Sequence, residues 1–167
     1  MSTENLYNDE AIKKIKDIAT DVDFAMLATD LSSPAPLNAI PMSTKKVDEH
    51  GNIWFLSNKN SDHNKDLEKD ASCQLLYSGG SDMKFLSVYG NAVITTDRTV
   101  IDELYSSTDS AWFDGKDDPN ITAIKFQPSQ AAYWDRGSSK LVSLFKMAKG
   151  AITGENQNIG TSGKLNV

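Results

Sequence analysis

No uninterrupted apolar run in this chain is longer than a β-strand, and that limit governs what it can fold into. The longest apolar clusters, Phe24 to Ala28 and Ile53 to Leu56, are each bounded by polar residues. A membrane-spanning helix needs about 20 apolar residues in succession. The pattern therefore calls for short strands and amphipathic helices around an interior core, with no membrane partner. At 167 residues, 39% of them hydrophobic, the chain can bury such a core as one domain without disulfides or metal staples.

The order of elements follows from periodicity and turn chemistry. Ile12, Ile15, Ile18 and Ala19 share a helical stripe over residues 8–20, with Asn8 placed to cap it and Asp9 and Glu10 suited to the first turn. Residues 23–29 read as a buried strand, and 35–43 return as its hairpin partner after the Leu31-Ser32-Ser33-Pro34 turn. A turn at His50-Gly51-Asn52 leads into a central strand over 53–57, and Ser61 is set to cap a helix running to Asp70 with Leu67 inward. Cys73 to Tyr77 and Phe85 to Thr96 form a second pair around Gly79-Gly80, with Leu86, Val88, Ala92 and Ile94 alternating onto one face. A short helix carries Ile101, Leu104 and Tyr105. Strands over 121–126 and 131–135 are expected to be interrupted by Pro128, and a last amphipathic helix is predicted over 140–149. The expected fold class is α+β and mostly β, a six-stranded antiparallel Greek-key barrel with short flanking helices. Residues 1–150 make the domain and 151–167 a mobile C-terminal tail.

Charge and inventory remove several function classes. Seventeen basic against 23 acidic side chains give a net charge of −6, a field that repels polyphosphate and argues against nucleic-acid partners. His50, His63 and Cys73 stand in no paired metal-ligand spacing, so no metal site is expected. A single cysteine, with no basic segment leading into an apolar one over 1–22, points to a reducing cytoplasm. Neither a dinucleotide glycine fingerprint, a Walker loop nor a nucleophile elbow occurs.

One stretch has the ingredients for a small phosphate. In Ser57-Asn58-Lys59-Asn60-Ser61-Asp62-His63-Asn64-Lys65 a buried strand runs through a polar loop into a helix start. Backbone N–H groups, the Ser hydroxyls, the helix dipole and His63 or Lys65 would converge on a bound phosphate there. The alternative is that Ser61 is simply an N-cap and the rest a solvated turn.

Several segments taken together are distinctive: Phe24 to Thr29, Ala39-Ile40-Pro41-Met42-Ser43, Trp54-Phe55-Leu56-Ser57, Ser61 to Leu67, Ser87 to Ala92, and Ala111-Trp112-Phe113 through Gly115-Lys116-Asp117-Asp118-Pro119, followed by Tyr133-Trp134-Asp135. Over roughly residues 11–134 the chain resembles the general stress protein 26 group of the pyridoxamine 5′-phosphate oxidase-like family. The resemblance implies an FMN-binding split barrel working as a homodimer, with FAD or a related flavin as the alternative cofactor. It implies a flavin at the subunit interface, its ring against Pro41, Met42 and Ser43 and its phosphate near Leu56, Ser57, Asn58, Ser61, His63 and Lys65. The segment around Trp112 would approach the partner's flavin, or else Trp112 packs over the sheet edge. Trp54, Tyr77 and Trp134 are expected in the core or at dimer contacts.

The chain departs from the family pattern in two places. The family's frequent Arg-Pro-Met stands here as Ile40-Pro41-Met42, and its usual lysine two residues after the Ser or Thr stands as His63. Each change removes a permanent cation from the phosphate region. The implied activity is that of a flavin-dependent oxidoreductase in a stress setting, although no basic residues for a second, substrate phosphate are found. The alternative is a non-catalytic flavin-binding or dimeric interaction module.

Overall fold

In the computed structural model, which describes residues 2–80, 83–136 and 160–166, a single mixed sheet of ten strands curls around one core, with three α-helices against it. The strands are β1 (Ser2–Thr3), β2 (Leu6–Tyr7), β3 (Phe24–Thr29), β4 (Asn38–Ser43), β5 (Lys46–Val47), β6 (Ile53–Asn58), β7 (Ser72–Gly79), β8 (Lys84–Thr95), β9 (Ile121–Asp135) and β10 (Thr161–Asn166). The helices are α1 (Asn8–Val22), α2 (Asp62–Lys69) and α3 (Arg98–Leu104). The α+β, mostly β expectation holds. The count of six does not, because β1, β2, β5 and β10 join the sheet as well.

Antiparallel pairing runs β4–β3–β7–β8–β9, and β9 then serves two neighbours along its other edge. Its first half pairs with β6 and its second half with β10. β4 and β6 thus lie at the two ends of the curled sheet, adjacent but unpaired. One backbone bond, Lys45 N–H to the Trp54 carbonyl at 2.8 Å, ties them where β4 passes into β5.

Inward-pointing residues of β3, β6, β7, β8 and β9 meet α1 in the main core: Ala25, Leu27, Phe55, Leu75, Tyr77, Leu86, Val88, Phe126 and Tyr133 pack with Ile15 and Ile18. The period-two alternation of β8 and the 3.6-residue stripe of α1 turn out as expected, with Ala11 added to the stripe and Ile12 at its half-buried margin. A second, smaller cluster joins Leu56, Ile121 and Ala123 to Ile101 and Leu104 of α3. Burying each such large side chain contributes about 1.5–3 kcal/mol.

Three expectations need correction. Asn8 is the first helical residue, not the cap: the capping position is Tyr7, which makes no side-chain cap bond, because β2 pairs with β10 right up to the turn. Asn8 takes that turn at φ +49°, a conformation asparagine tolerates. Second, Pro128 does not break the strand. β9 runs through it, with Pro128 opposite Gly90 and a bulge accommodating Ser129, so that the missing N–H falls at an irregularity. Gly90 is required there, since a Cβ would lie 2.1 Å from the Gln127 carbonyl oxygen.

Third, residues 161–166 of the expected mobile tail form β10, antiparallel to β9 and parallel to β1 and β2. Gly and Ser at 160–163 suit the close packing of three strands, and Leu165 anchors them in the core. Residues 151–159 and the helix predicted over 140–149 lie outside the described residues.

Candidate functional site

The ends of β6 and β9 and the start of α2 bring Ser57, Ser61, His63, Asn64 and Thr122 into one hydrogen-bonded cluster. β6 is apolar until it reaches this point, so its pairing with β9 carries Ser57 into the interior beside Thr122, both nearly without solvent contact. Ser61 then caps α2 as predicted, accepting from the Asn64 N–H at 3.3 Å. Asp62 and His63 in the first turn keep N–H groups with no intrahelical acceptor. A bond from the Thr29 hydroxyl to Asp66 at 3.0 Å ties α2 to the end of β3.

The bonding directions within the cluster fix one another. Thr122 Oγ1 donates to the Ser57 carbonyl at 3.2 Å, so it accepts from Asn64 Nδ2 at 2.9 Å. Asn64 Oδ1 consequently faces Ser57 and takes its hydroxyl proton at 2.9 Å. His63 Nε2 lies 2.6 Å from Ser57 Oγ and 3.0 Å from Ser61 Oγ. With the Ser57 proton already committed to Asn64, Nε2 must be the donor, and the imidazole carries its proton on that nitrogen. Burial lowers the His63 pKa below the ordinary 6.5, offset in part by Asp66 and Asp62.

β4, the strand adjacent to β6, has an open edge. Among the described residues no strand pairs with that edge, which leaves backbone groups beside Pro41, Met42 and Ser43 available to a ligand. Met42 is buried in the core, Pro41 is exposed, and the Ser43 hydroxyl donates to Asp23 at 3.3 Å. Leu56 faces the second core cluster and Asn58 closes the loop by accepting from the Asn60 N–H.

The remaining expected site residues are placed elsewhere. Lys65 is not brought to the cluster, because its ammonium pairs with Asp62 at 2.9 Å on the exposed side of α2. Trp112 is 82% exposed, at the end of a 3-10 turn over Ser107–Ala111, while its neighbour Phe113 packs into the smaller core cluster. That turn is pinned by Asp109, which accepts from the Ser106 backbone and hydroxyl and from Lys45 Nζ, each at 2.7 Å. Of the other aromatic residues, Tyr77 is in the core, Trp54 is half-buried and Trp134 is exposed.

Asn64, Thr122, Lys45 and Asp109 were not singled out from sequence. A signal existed only for Asn64, an amide three residues after an N-cap on the face of α2 that also holds Leu67.

The residues at the cluster suit a phosphate: the Ser61 hydroxyl and first-turn backbone N–H groups can donate to it beside an ionisable imidazole, with no carboxylate hydrogen-bonded to Ser57, Ser61 or His63 among the described residues. They do not suit a metal, and no cluster of three metal-ligating side chains occurs among the described residues. No helix among them is long and apolar enough to cross a membrane. A recess of about 660 Å³ lies on the outer face of the sheet, lined by Gln74, Ser87, Tyr89, Gln130 and Lys164, but none of the expected site residues borders it. Gln74 and Ser87 there satisfy each other at 2.8 Å, which leaves the Ser57 cluster the better-organised site.

Comparison with known proteins places the chain in a family. Residues 10–158 match the family model described as pyridoxamine 5′-phosphate oxidase like. General stress protein 26 of Bacillus subtilis is 27% identical over 95 residues, covering 55% of this chain and 68% of that protein. A crystal structure assigned to general stress protein 26 from Jannaschia sp. CCS1 superposes with a TM-score of 0.78 at 27% identity, over 93% of this chain and 97% of that one. The general stress FMN/FAD binding protein from Xanthomonas citri superposes with a TM-score of 0.64 at 25% identity, over 77% of this chain and 90% of that one. With seven of the ten described strands and the Ser57 cluster inside the matched segment, the chain belongs to the pyridoxamine 5′-phosphate oxidase-like family.

Proposed function

We propose that this protein is a cytoplasmic, homodimeric flavoprotein that holds FMN in the gap between β4 and β6 and acts as a flavin-dependent oxidoreductase. The observation that carries the reading is the convergence of Ser57, Ser61 and His63 at the start of α2, on the strand adjacent to the unpaired edge of β4. A bound flavin supplies the electron transfer. The chain's own residues supply the rest: Ser61, the first-turn N–H groups of α2 and His63 hold the phosphate, Ser57 orients the imidazole, and the backbone along Pro41, Met42 and Ser43 orients the ring and sets its hydrogen bonding. Membership of a family with an FMN/FAD-binding relative supports the same cofactor.

Support for a homodimer comes from the outer face of the sheet. Met26, Leu76, Ser87 and Ala132 stand in cross-strand register, flanked by Tyr89 and Trp134. Met26, Leu76, Tyr89 and Trp134 are all exposed. A second copy seated on this apolar row would cover it, and the projecting Trp112 would then reach the partner's flavin.

The first experiment is an absorbance spectrum of the purified protein with and without added FMN, taken after desalting. A retained and shifted flavin spectrum is expected, followed by reduction on adding NADH or NADPH. A Ser61→Ala/His63→Ala double variant is expected to bind FMN more weakly, and unchanged affinity would refute the phosphate assignment. A second reading rests on the pairing of Lys65 with Asp62 and the presence of Ile40, which leave no permanent cation bonded to the cluster among the described residues. On that reading the protein is a flavin-binding or interaction module without turnover, and a bound flavin that no pyridine nucleotide reduces would favour it.

A further inference from the structure

A phosphate site normally contains at least one permanent positive charge, because charge-assisted bonds are the strong ones. Among the described residues no lysine or arginine is hydrogen-bonded to Ser57, Ser61, His63, Asn64 or Thr122. The lysine on the same turn of α2 is held by Asp62. The group at the cluster that can become a cation is the His63 imidazole.

Its starting state is set by geometry. The buried Thr122–Asn64–Ser57 relay commits the Ser57 hydroxyl proton to Asn64, which makes His63 Nε2 a donor and keeps its proton there. In the neutral ring Nδ1 is therefore bare, and any second proton is taken up on Nδ1 without disturbing the bonds to Ser57 and Ser61. The surroundings oppose that proton until an anion arrives. β6 and β9 present the neutral Ser57 and Thr122, while Asp62 and Asp66 on α2 favour the charged ring; one is engaged by Lys65 and the other accepts from Thr29.

We infer that phosphate capture at this site is coupled to proton uptake by His63, which converts a neutral hydrogen-bond donor into the missing cation as the flavin phosphate binds. The inference rests on the flavin reading above and assigns His63 as the residue that makes flavin affinity depend on pH. A phosphate dianion beside the ring raises its pKa relative to the free protein. The added affinity is fully present below the free-state pKa and is lost as pH rises through the bound-state pKa. Each unit of that increase is worth about tenfold in affinity.

The test is a set of equilibrium titrations with FMN and with riboflavin, which lacks the phosphate, between about pH 6.5 and 8.5, where the FMN phosphate is mostly dianionic. Wild type is compared with His63→Lys, a permanent cation, and His63→Gln, a permanent neutral donor. For wild type, FMN affinity is expected to fall about tenfold across the range, with a flat profile in both variants and for riboflavin. Proton uptake on FMN binding, read by calorimetry in buffers of different ionisation enthalpy, should appear in wild type and vanish in both variants. Histidine ¹⁵N shifts in the free protein should show the Nε2–H tautomer. FMN binding tighter than riboflavin but flat with pH in wild type overturns the coupling and leaves the phosphate site standing. Equal affinity for FMN and riboflavin, or no binding of either, overturns the site and the coupling with it.

Discussion

The Lys45 ammonium lies 2.7 Å from the Asp109 carboxylate, and both side chains are nearly nine-tenths shielded from solvent. Lys45 sits where β4 passes into β5, and Asp109 belongs to the turn that ends at Trp112. The pair therefore links one lip of the proposed flavin gap to the loop carrying the exposed Trp112. Burial works to raise the Asp109 pKa, but bonds from Lys45 and Ser106 outweigh it and hold the group below the ordinary 3.8.

Removing one partner of such a pair leaves the other charge shielded and alone, which typically costs about 3 kcal/mol. Lys45→Met is expected to lower stability by roughly that amount in urea unfolding. Lys45→Met/Asp109→Leu together should cost less than the sum of the two single changes. Because the folded pKa of Asp109 is depressed, its contribution is complete above the unfolded value near 3.8 and is lost as pH falls through the folded value. Asp109→Asn should flatten the acid limb of the stability profile; a limb as steep as that of wild type would assign acid sensitivity to other carboxylates, such as Asp48 with its four donors.

Much of this fold was legible because periodicity reports burial directly. The alternation in β8 and the stripe on α1 each name a face, and the structure buries those faces. What sequence reasoning missed was set by partners distant along the chain. Pro128 ends a strand by local rules, and only Gly90, across the sheet, supplies the room that lets β9 continue. The polar, Gly-containing 161–166 segment has the composition of a tail, and it becomes a strand because β9 and the N-terminal residues offer it two edges. The candidate site divides in the same way. Ser57, Ser61 and His63 lie within seven residues and were read together. Thr122, which orients them, is 58 positions from Asn64 and indistinguishable in sequence from any other strand threonine.

The thiol of Cys73 offers a clean report on opening of the core. It has no solvent exposure, and burial, with a smaller contribution from Asp70, pushes its pKa up to about 12. Thiolates, not thiols, attack alkylating reagents. Native protein at pH 8 is expected to resist iodoacetamide, with labelling that follows the unfolding transition in denaturant and has the same midpoint as tryptophan fluorescence. Rapid labelling without denaturant would mean that β7 separates from β8 locally, without unfolding of the whole sheet.

The Asn64–Thr122 bond predicts an asymmetry between two small truncations. Asn64→Ala removes the acceptor for Ser57 and the donor to Thr122 at once, leaving two buried hydroxyls to find new partners. The expected cost is about 2 kcal/mol. Asn64→Asp keeps the acceptor for Ser57 but places a carboxylate oxygen where Nδ2 donated, so Thr122 must reverse its hydroxyl and release the Ser57 carbonyl. Asn64→Asp should retain the His63 tautomer seen by ¹⁵N shifts, whereas Asn64→Ala should lose it. Loss of the tautomer in neither variant would show that His63 is oriented by Ser61 alone.

The C-terminal strand provides a direct test of how far the structured domain extends. Leu165 is 1% exposed and packs in the main core, while Lys164 beside it faces solvent. The Tyr133 hydroxyl donates to the Glu4 carbonyl at 3.0 Å, so β9 also reaches the N-terminal segment that pairs with β10. A mobile segment would tolerate either truncation equally, since neither side chain would be packed. A core strand predicts a large difference: Leu165→Ala should cost about 3 kcal/mol, the range for emptying a buried leucine site, and Lys164→Ala within about 0.5 kcal/mol of zero. Tyr133→Phe should fall between them at about 1 kcal/mol, because it deletes one partly buried hydrogen bond and leaves the ring in place. Denaturant midpoints for the three variants measure the order, and equal midpoints for Leu165→Ala and Lys164→Ala would return residues 161–166 to the status of a tail. The same order should hold for loss of amide-exchange protection at Ala131 and Tyr133, the β9 residues paired with Leu165 and Gly163, since those amides depend on β10 staying in place.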